Sequence, residues 1–354
     1  MMRHTLRVVA ATLVLALAAT ACGGGGGDDD ATGDQLVAIG AGLSGPAGLA
    51  ATVYAQGIPN TAAFAFDAEG RLWVATAAYS DEGTDSVFLM GGAGDTPVPV
   101  ITGLHTALGL LWYKDSLYVA SAAHVEAYSS FDGTTFTQHR SVVTFDSGVG
   151  EVNGITLAPN GRMQLGISAP CDHCTPTSAY SGAIVSFLPD GSDLRVDASG
   201  MRAPIGLAYY PGTNDLFVTM NQRDDLEDKT PGDWLAVVAP GQDWGFPDCY
   251  GQGGSACAGV PAPVAELDKH AAVSGVAIVT GQLGAGIGNA AVVAEWGASK
   301  LVLVSLTKTG ATYTGTASLF VTGLKNPVAV ALAPDGSLIA GDWTTGTIYR
   351  IASA

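Results

Sequence analysis

Eight polar residues recur at comparable places along this chain: Asn60, His105, Glu151, Asn153, Arg202, His270, Lys325 and Asn326. Each lies close to a small residue that opens an apolar, alternating stretch. The set mixes titratable groups, cations and amides. Cations grouped within an acidic chain point to an anionic ligand held by charge-assisted hydrogen bonds. Equally, such groups can satisfy one another and trapped water. A second constellation follows: Asn221, Asp224, Asp225, Glu227, Asp228 and Asp233. Carboxylates this dense supply hard oxygen ligands, so Asn221, Asp224, Asp228 and Asp233 are expected to hold Ca²⁺. The spacing is not that of an EF-hand, and a solvated acidic loop is the plain alternative. Asp81, Glu82 and Asp85 fall in an expected hairpin loop and read as solvated.

Such scattered residues form a site only if the fold gathers them, and the repeat says how. Gly57, Gly103, Gly148, Gly200, Lys269 and Gly323 each precede by six residues a small one: Ala63, Gly109, Gly154, Gly206, Gly275 and Ala329. Apolar alternation follows, as in ITLAPNG, LAYYPGTND and VALAPDG. A second strand follows most of these, as in RLWVATA, DLFVTMN, AAVVAEW and SLIAGDW. The Pro-Asn-Gly and Pro-Asp-Gly turns between them are hairpin chemistry. The repeat spacings are 46, 45, 52, 69 and 54 residues. Four short strands with turns need roughly 40–50 residues, the length of a propeller blade. The expected fold class is all-β, a six-bladed β-propeller with an N-terminal strand, Thr52 to Ala55, closing the last blade. The excess length falls at about 221–269, read as an insertion with a functional loop. In a propeller the innermost strands line a channel, so the six lead-in segments meet at one mouth.

Residues 1–21 read as a lipoprotein signal peptide. Arg3 and Arg7 precede an apolar run, and Ala19, Thr20 and Ala21 lead into Cys22, the expected lipidation site. The run is too short for a comfortable membrane span of about 20 residues. Residues 22–45, opening with five Gly and three Asp, read as a flexible tether, and 46–354 as the propeller. Losing Arg3 and Arg7 from 15 basic residues leaves 13 against 32 acidic ones, net −19. Such a surface repels a phosphate backbone, so no nucleic-acid partner is expected. Contact with a membrane is expected through the lipid anchor only. Export to an oxidising compartment explains the four other cysteines, and the local pairing, Cys171 with Cys174 and Cys249 with Cys257, is preferred among three. No GxSxG elbow, P-loop, HExxH or GxGxxG before a helix is present.

Residues 153–248 resemble the glucose/sorbosone dehydrogenase family, the soluble quinoprotein sugar dehydrogenases. The resemblance rests on NGITLAPNGRMQLGISAPCDHC, GMRAPIGLAYYPGTNDLFVTMNQRDDLEDKTPGDWL and GQDWGFPDCYG, and on the tail PVAVALAPDGSLIAGDWTTGTIYRI. It implies a six-bladed propeller with pyrroloquinoline quinone (PQQ) at the channel mouth and Ca²⁺ polarising the quinone. It further implies a sugar substrate, a His base, hydride transfer to the quinone and an external electron acceptor. Arg202 falls on the family's cofactor-facing Arg. Lys325 and Asn326 stand where members often carry Arg, and Asn153 completes the expected cofactor-binding set. Ala203 stands where the family has Asn, and Gly150 where it has the catalytic His. His105, one blade earlier, and Glu151, beside the vacant place, are the alternative bases.

Two other functions fit these residues. One is a non-catalytic propeller that binds carbohydrate or protein at the cell surface. The other is lactone hydrolysis by a channel metal held by Asn60, Glu151, Asn153 and Asn326. The signal reading makes a direct prediction: a Cys22→Ala variant shifts from the detergent phase to the aqueous phase in a Triton X-114 partition, whereas an unlipidated secretory leader leaves partitioning unchanged.

Overall fold

The computed structural model describes residues 35–80, 82–146 and 148–354. The signal peptide, Cys22 and most of the expected tether lie outside the described residues. Residues 36–354 form one compact unit.

Six four-stranded antiparallel sheets succeed one another along the chain, the first five each a simple meander. Blade 1 comprises Thr61–Phe66, Leu72–Thr76, Asp85–Met90 and Val98–Leu104. Blade 2 comprises Ala107–Tyr113, Ser116–Ser121, His124–Phe131 and Phe136–Thr144. Blade 3 comprises Val152–Leu157, Met163–Ile167, Ala183–Phe187 and Arg195–Ala198. Blade 4 comprises Ala203–Tyr209, Leu216–Asn221, Gly232–Val238 and Ala265–Lys269. Blade 5 comprises Val273–Thr280, Asn289–Glu295, Lys300–Thr309 and Thr312–Val321. Blade 6 takes Pro327–Leu332, Leu338–Asp342 and Thr347–Ser353 from the C-terminus, and its outer strand, Leu49–Ala55, from the N-terminus. Pairing of Ile351 with Ala51 and of Arg350 with Thr52 ties the ring shut. The expected six-bladed propeller closed by an N-terminal strand is the observed fold.

The small residues of the repeat have a steric reason. A Cβ on Gly109 would stand 2.5 Å from the Asn153 carbonyl oxygen. On Gly154 it would stand 2.6 Å from Ile205 O, and on Gly275 2.7 Å from Val328 O. On Gly206 it would press still closer against Ser274 O. Each of these inner strands thus lies against the backbone of the next blade's inner strand, an approach only a missing or minimal side chain allows.

The same place carries a break in register in every blade. The first-to-second strand pairing slips between Thr61 and Ala63, Ala107 and Gly109, and Val152 and Ile155. It slips again between Pro204 and Leu207, Val273 and Val276, and Pro327 and Val330. Bulges of this kind release residues from the ladder and re-aim them. Those released here include Ala62, Leu108, Asn153, Ile205, Ser274 and Val328, one per blade.

Second strands are buried apart from Ser116, Asn221 and Asn289 at their ends, and the apolar core lies between successive sheets. Trp73, wholly buried, stacks on Trp112 at 5.8 Å and meets Phe131 edge-on at 5.1 Å, filling the seam between blades 1 and 2. Asp85 corrects an expectation. It is buried, not solvated, and accepts the N–H of Ala78 at 2.8 Å and of Thr106 at 2.7 Å. It thereby ties blade 1 to the segment leading into blade 2.

Two further departures concern spans. Residues 37–45, read as the end of the tether, form a hairpin of Val37–Gly40 and Leu43–Gly45. Ser44 and Thr322 exchange backbone hydrogen bonds, and Ile39 and Leu43 bury beside Phe320 and Leu324. The span 221–269, read as an insertion, contains the third and fourth strands of blade 4, with loops at 222–231 and 239–264 on either side of the third.

The packing of inner strands predicts a contrast between two glycines. Gly206→Ala is expected to lower unfolding free energy by about 1–3 kcal/mol, as overpacking does. Gly286→Ala, at a position open to solvent with ordinary backbone angles, is expected to change it by less than about 0.5 kcal/mol. Urea denaturation of both variants measures the difference.

Candidate functional site at the channel mouth

The six released residues form the floor of a cavity of about 370 Å³ at one mouth of the channel. Its wall comes mainly from the ends of the second strands and the residues after them. These are Ala78 and Tyr79 in blade 1, Asn221 in blade 4, Trp296 in blade 5 and Trp343 in blade 6. Trp296 and Trp343 meet nearly at right angles, with centroids 6.2 Å apart. The Trp343 indole N–H donates to Ala77 O at 2.8 Å, which fixes that ring. Glu151, just before blade 3, and Ala272, just before blade 5, complete the lining.

A second cavity, about 430 Å³, adjoins the first and shares Glu151, Ile205 and Asn221 with it. Its other lining residues include Gly150, Ser168, Asp172 and Arg202. Arg202 is held by Asp172, with Nη2 at 2.7 Å and Nε at 3.1 Å from the same carboxylate oxygen. Asp172 lies between Cys171 and Cys174, which are bonded to each other. It also accepts the N–H groups of Asp224 at 3.0 Å and Asp225 at 2.9 Å. One carboxylate thus joins the cysteine loop, the blade 4 loop and the mouth arginine. Cys249 and Cys257 form the other disulfide, so the expected local pairing is the observed one.

Glu151 is exposed at the mouth, but the walls around its carboxyl displace part of the surrounding water. That confinement raises its carboxyl above the usual range, with Arg202 opposing. Tyr79 is 57% exposed, yet desolvation against the walls raises its hydroxyl, and the charges of Glu151 and Asp85 add to it.

The structure sorts the sequence candidates. Glu151, Asn153 and Asn221 meet at the first cavity, and Arg202 lines the second. His105 is exposed, its ring near Gly83, and lines neither cavity. Lys325 is also exposed and lines neither, while its backbone N–H donates to Asp342. Asn326 spends its side chain on Trp296 O and on the Thr344 hydroxyl. Asn60 adopts a positive φ, and its N–H donates to Trp343 O.

The acidic loop is largely engaged internally. Asp224 faces His270 Nδ1 at 2.8 Å and Arg202 at 3.7 Å. Arg223 grips Asp225 at 2.6 Å and 2.7 Å and covers the Tyr250 ring at 4.7 Å. Asp228 is exposed, and its backbone carbonyl accepts from Lys269. Asp233 is buried inside blade 4, accepting the Gln222 N–H at 2.8 Å. Among the described residues, no three His, Cys, Asp or Glu side chains gather as a metal centre. Tyr79, Trp296 and Trp343 escaped the sequence reading. Trp296 and Trp343 end the repeats AAVVAEW and SLIAGDW, and that shared position was the available signal.

No protein-family model and no curated protein sequence matches the chain. Solved structures do match in fold. The holo PQQ domain of pyranose dehydrogenase from Coprinopsis cinerea superposes with a TM-score of 0.72 at 16% identity, covering 88% of this chain and 97% of that one. PQQ-bound aldose sugar dehydrogenase from Streptomyces coelicolor gives 0.68 at 21%, covering 87% and 99%. The apo soluble aldose sugar dehydrogenase from Escherichia coli gives 0.68 at 16%, covering 86% and 100%. The chain therefore has the six-bladed fold of the soluble PQQ-dependent sugar dehydrogenases.

Asp233 makes a pH prediction. Burial is the largest cause raising its carboxyl, to about 6, with the Gln222 and Val273 N–H groups opposing. Between about pH 4 and 6 the folded chain keeps a proton there that the unfolded chain has released. Stability therefore falls as pH rises through that window, by up to roughly 3 kcal/mol from this group. Asp233→Asn is expected to flatten that slope relative to the parent in urea denaturation run at stepped pH.

Proposed function

We propose that the chain is an exported, sugar-binding propeller of the sugar-dehydrogenase type, taking a sugar or sugar-derived ring at the channel mouth. The observation that carries this is one cavity pairing the aromatic surfaces of Tyr79, Trp296 and Trp343 with the oxygen acceptors of Glu151, Asn153 and Asn221. Aromatic rings cover the apolar C–H face of a pyranose, and the oxygens receive its hydroxyl protons. A mostly apolar cavity with a few convergent polar groups suits a small ligand. The sugar dehydrogenases that share the fold support the same ligand class. Export is supported by the two disulfides and the signal-like N-terminus, and anchoring through Cys22 belongs to the same proposal.

Oxidation with PQQ and Ca²⁺ is the second reading. PQQ carries three carboxylates, so its site needs cations. Arg202 is the one cation lining either cavity among the described residues, and Asp172 already holds it. Glu151 and Asp172 add negative charge to the same walls. A side chain at Gly150, the family's base position, would overlap Ser168 O. These residues do not fit the tricarboxylate quinone, and no hydride-transfer step is derived for them. In its favour, Arg202 Nη1 makes no hydrogen bond to a described residue, and the two cavities share three lining residues.

Tryptophan fluorescence separates the two readings. Aldoses or aldonolactones are expected to quench emission saturably, and Trp296→Ala to weaken binding at least tenfold. PQQ at micromolar concentration is expected to leave the protein without quinone absorbance. Tight PQQ binding with sugar-dependent dye reduction would replace the first reading by the second.

A further inference from the structure

Of the aromatic side chains among the described residues, only two are exposed: Tyr79, at 57%, and Trp296, at 38%. Both line the first cavity, and the half-buried Trp343 lines it with them. Tyr79 takes a φ of +54°, a left-handed backbone shape that bulky residues rarely adopt and that costs free energy. Trp296 and Trp343 are turned 76° apart, two walls set at a corner. A chain that covers its other rings leaves these two open in one place and strains its backbone to hold one of them. Such a patch marks a surface kept for a ligand. The charge there has one sign. Glu151 is the one charged side chain lining this cavity, and no Lys, Arg or His lines it among the described residues. Arg202, in the adjoining cavity, is the attraction for an acidic ligand, but Asp172 holds it at 2.7 Å and Asp224 stands at 3.7 Å. The whole chain carries 32 acidic residues against 15 basic ones.

We propose that the mouth selects a cationic sugar, one bearing a free protonated amine, over neutral and acidic sugars. Aromatic faces carry partial negative charge, so rings around one carboxylate attract an ammonium from several sides. Tyr79, Trp296 and Trp343 supply the rings, and Glu151 supplies the balancing charge through a charge-assisted hydrogen bond. A cavity of about 370 Å³ leaves room for the sugar ring behind that head group, over the apolar floor of Leu108, Ile205 and Val328. A uronic acid would set its carboxylate against Glu151. N-acetylation would remove the positive charge and leave the cage without its counterpart. This inference rests on the sugar reading of the same cavity and narrows it to one chemical class.

Calorimetric titration of the full-length protein with glucosamine, glucose, N-acetylglucosamine and glucuronate, at neutral pH and low salt, tests it. Glucosamine is expected to bind about fivefold tighter than glucose or N-acetylglucosamine, with glucuronate weakest. Added salt is expected to narrow the gap between glucosamine and glucose. Glu151→Gln is expected to bring the ratio of those two affinities below about twofold, with unchanged circular dichroism. Asp228→Asn removes the same charge from an exposed loop and is expected to leave the ratio as it was. Equal affinity for glucosamine and glucose in the parent would overturn this inference and leave the sugar reading standing. Tighter glucuronate would overturn it in favour of Arg202. A preference lost as much in Asp228→Asn as in Glu151→Gln would assign it to the charge of the whole chain and overturn the cage. Binding of none of the four would sink the sugar reading and this inference with it.

Discussion

The contact between neighbouring inner strands governs this molecule. Gly109, Gly154, Gly206 and Gly275 each meet a carbonyl of the next blade where a side chain would collide. Six strands brought this close have little room beside the axis. A narrower cavity of about 110 Å³ remains among Ala63, Gly109, Gly154, Gly206, Gly275, Ala329 and their neighbours. The bulge at the same position turns one residue per blade toward the mouth. Close packing along the axis and a ring of chosen side chains at its end are thus two results of one local feature.

That feature explains which candidate residues converge. Residues released by the bulge, or ending a second strand, reach the cavity whatever their chemistry. Asn153 and Asn221 do so, and so do Trp296 and Trp343. Among lead-in residues, Glu151 and Ala272 line the first cavity and Arg202 the second, whereas His105 and Lys325 sit outside both. Charge is handled separately, on the rim. Asp172, presented by a two-cysteine loop, ties Arg202 to the blade 4 loop through both its carboxylate oxygens. Arg202 lines a cavity, but both of its hydrogen bonds go to the rim carboxylate of Asp172.

The repeat of small residues, the Pro-Asp-Gly turns and the closing strand were legible in sequence because each is a local backbone requirement. So was the disulfide pairing, since the cysteines lie three and eight residues apart. Side-chain partnership was not legible. Asp85 looked like a loop acid, yet the N–H groups of Ala78 and Thr106 draw it inside. Asp224 looked like a metal ligand, yet His270 and Arg202, far away in the chain, face it. Long-range pairing depends on which loops the ring brings together, and no spacing along the chain encodes that.

Whether the bulge residues and second-strand ends truly share one chamber can be measured by spin-label quenching. A nitroxide on Leu108→Cys, in blade 2, should strongly quench Trp296 and Trp343 across the mouth. The same label on Val98→Cys, on the exposed outer strand of blade 1, should quench them little. Equal quenching from both positions would show that these tryptophans do not face the chamber, and the site built upon it would fail.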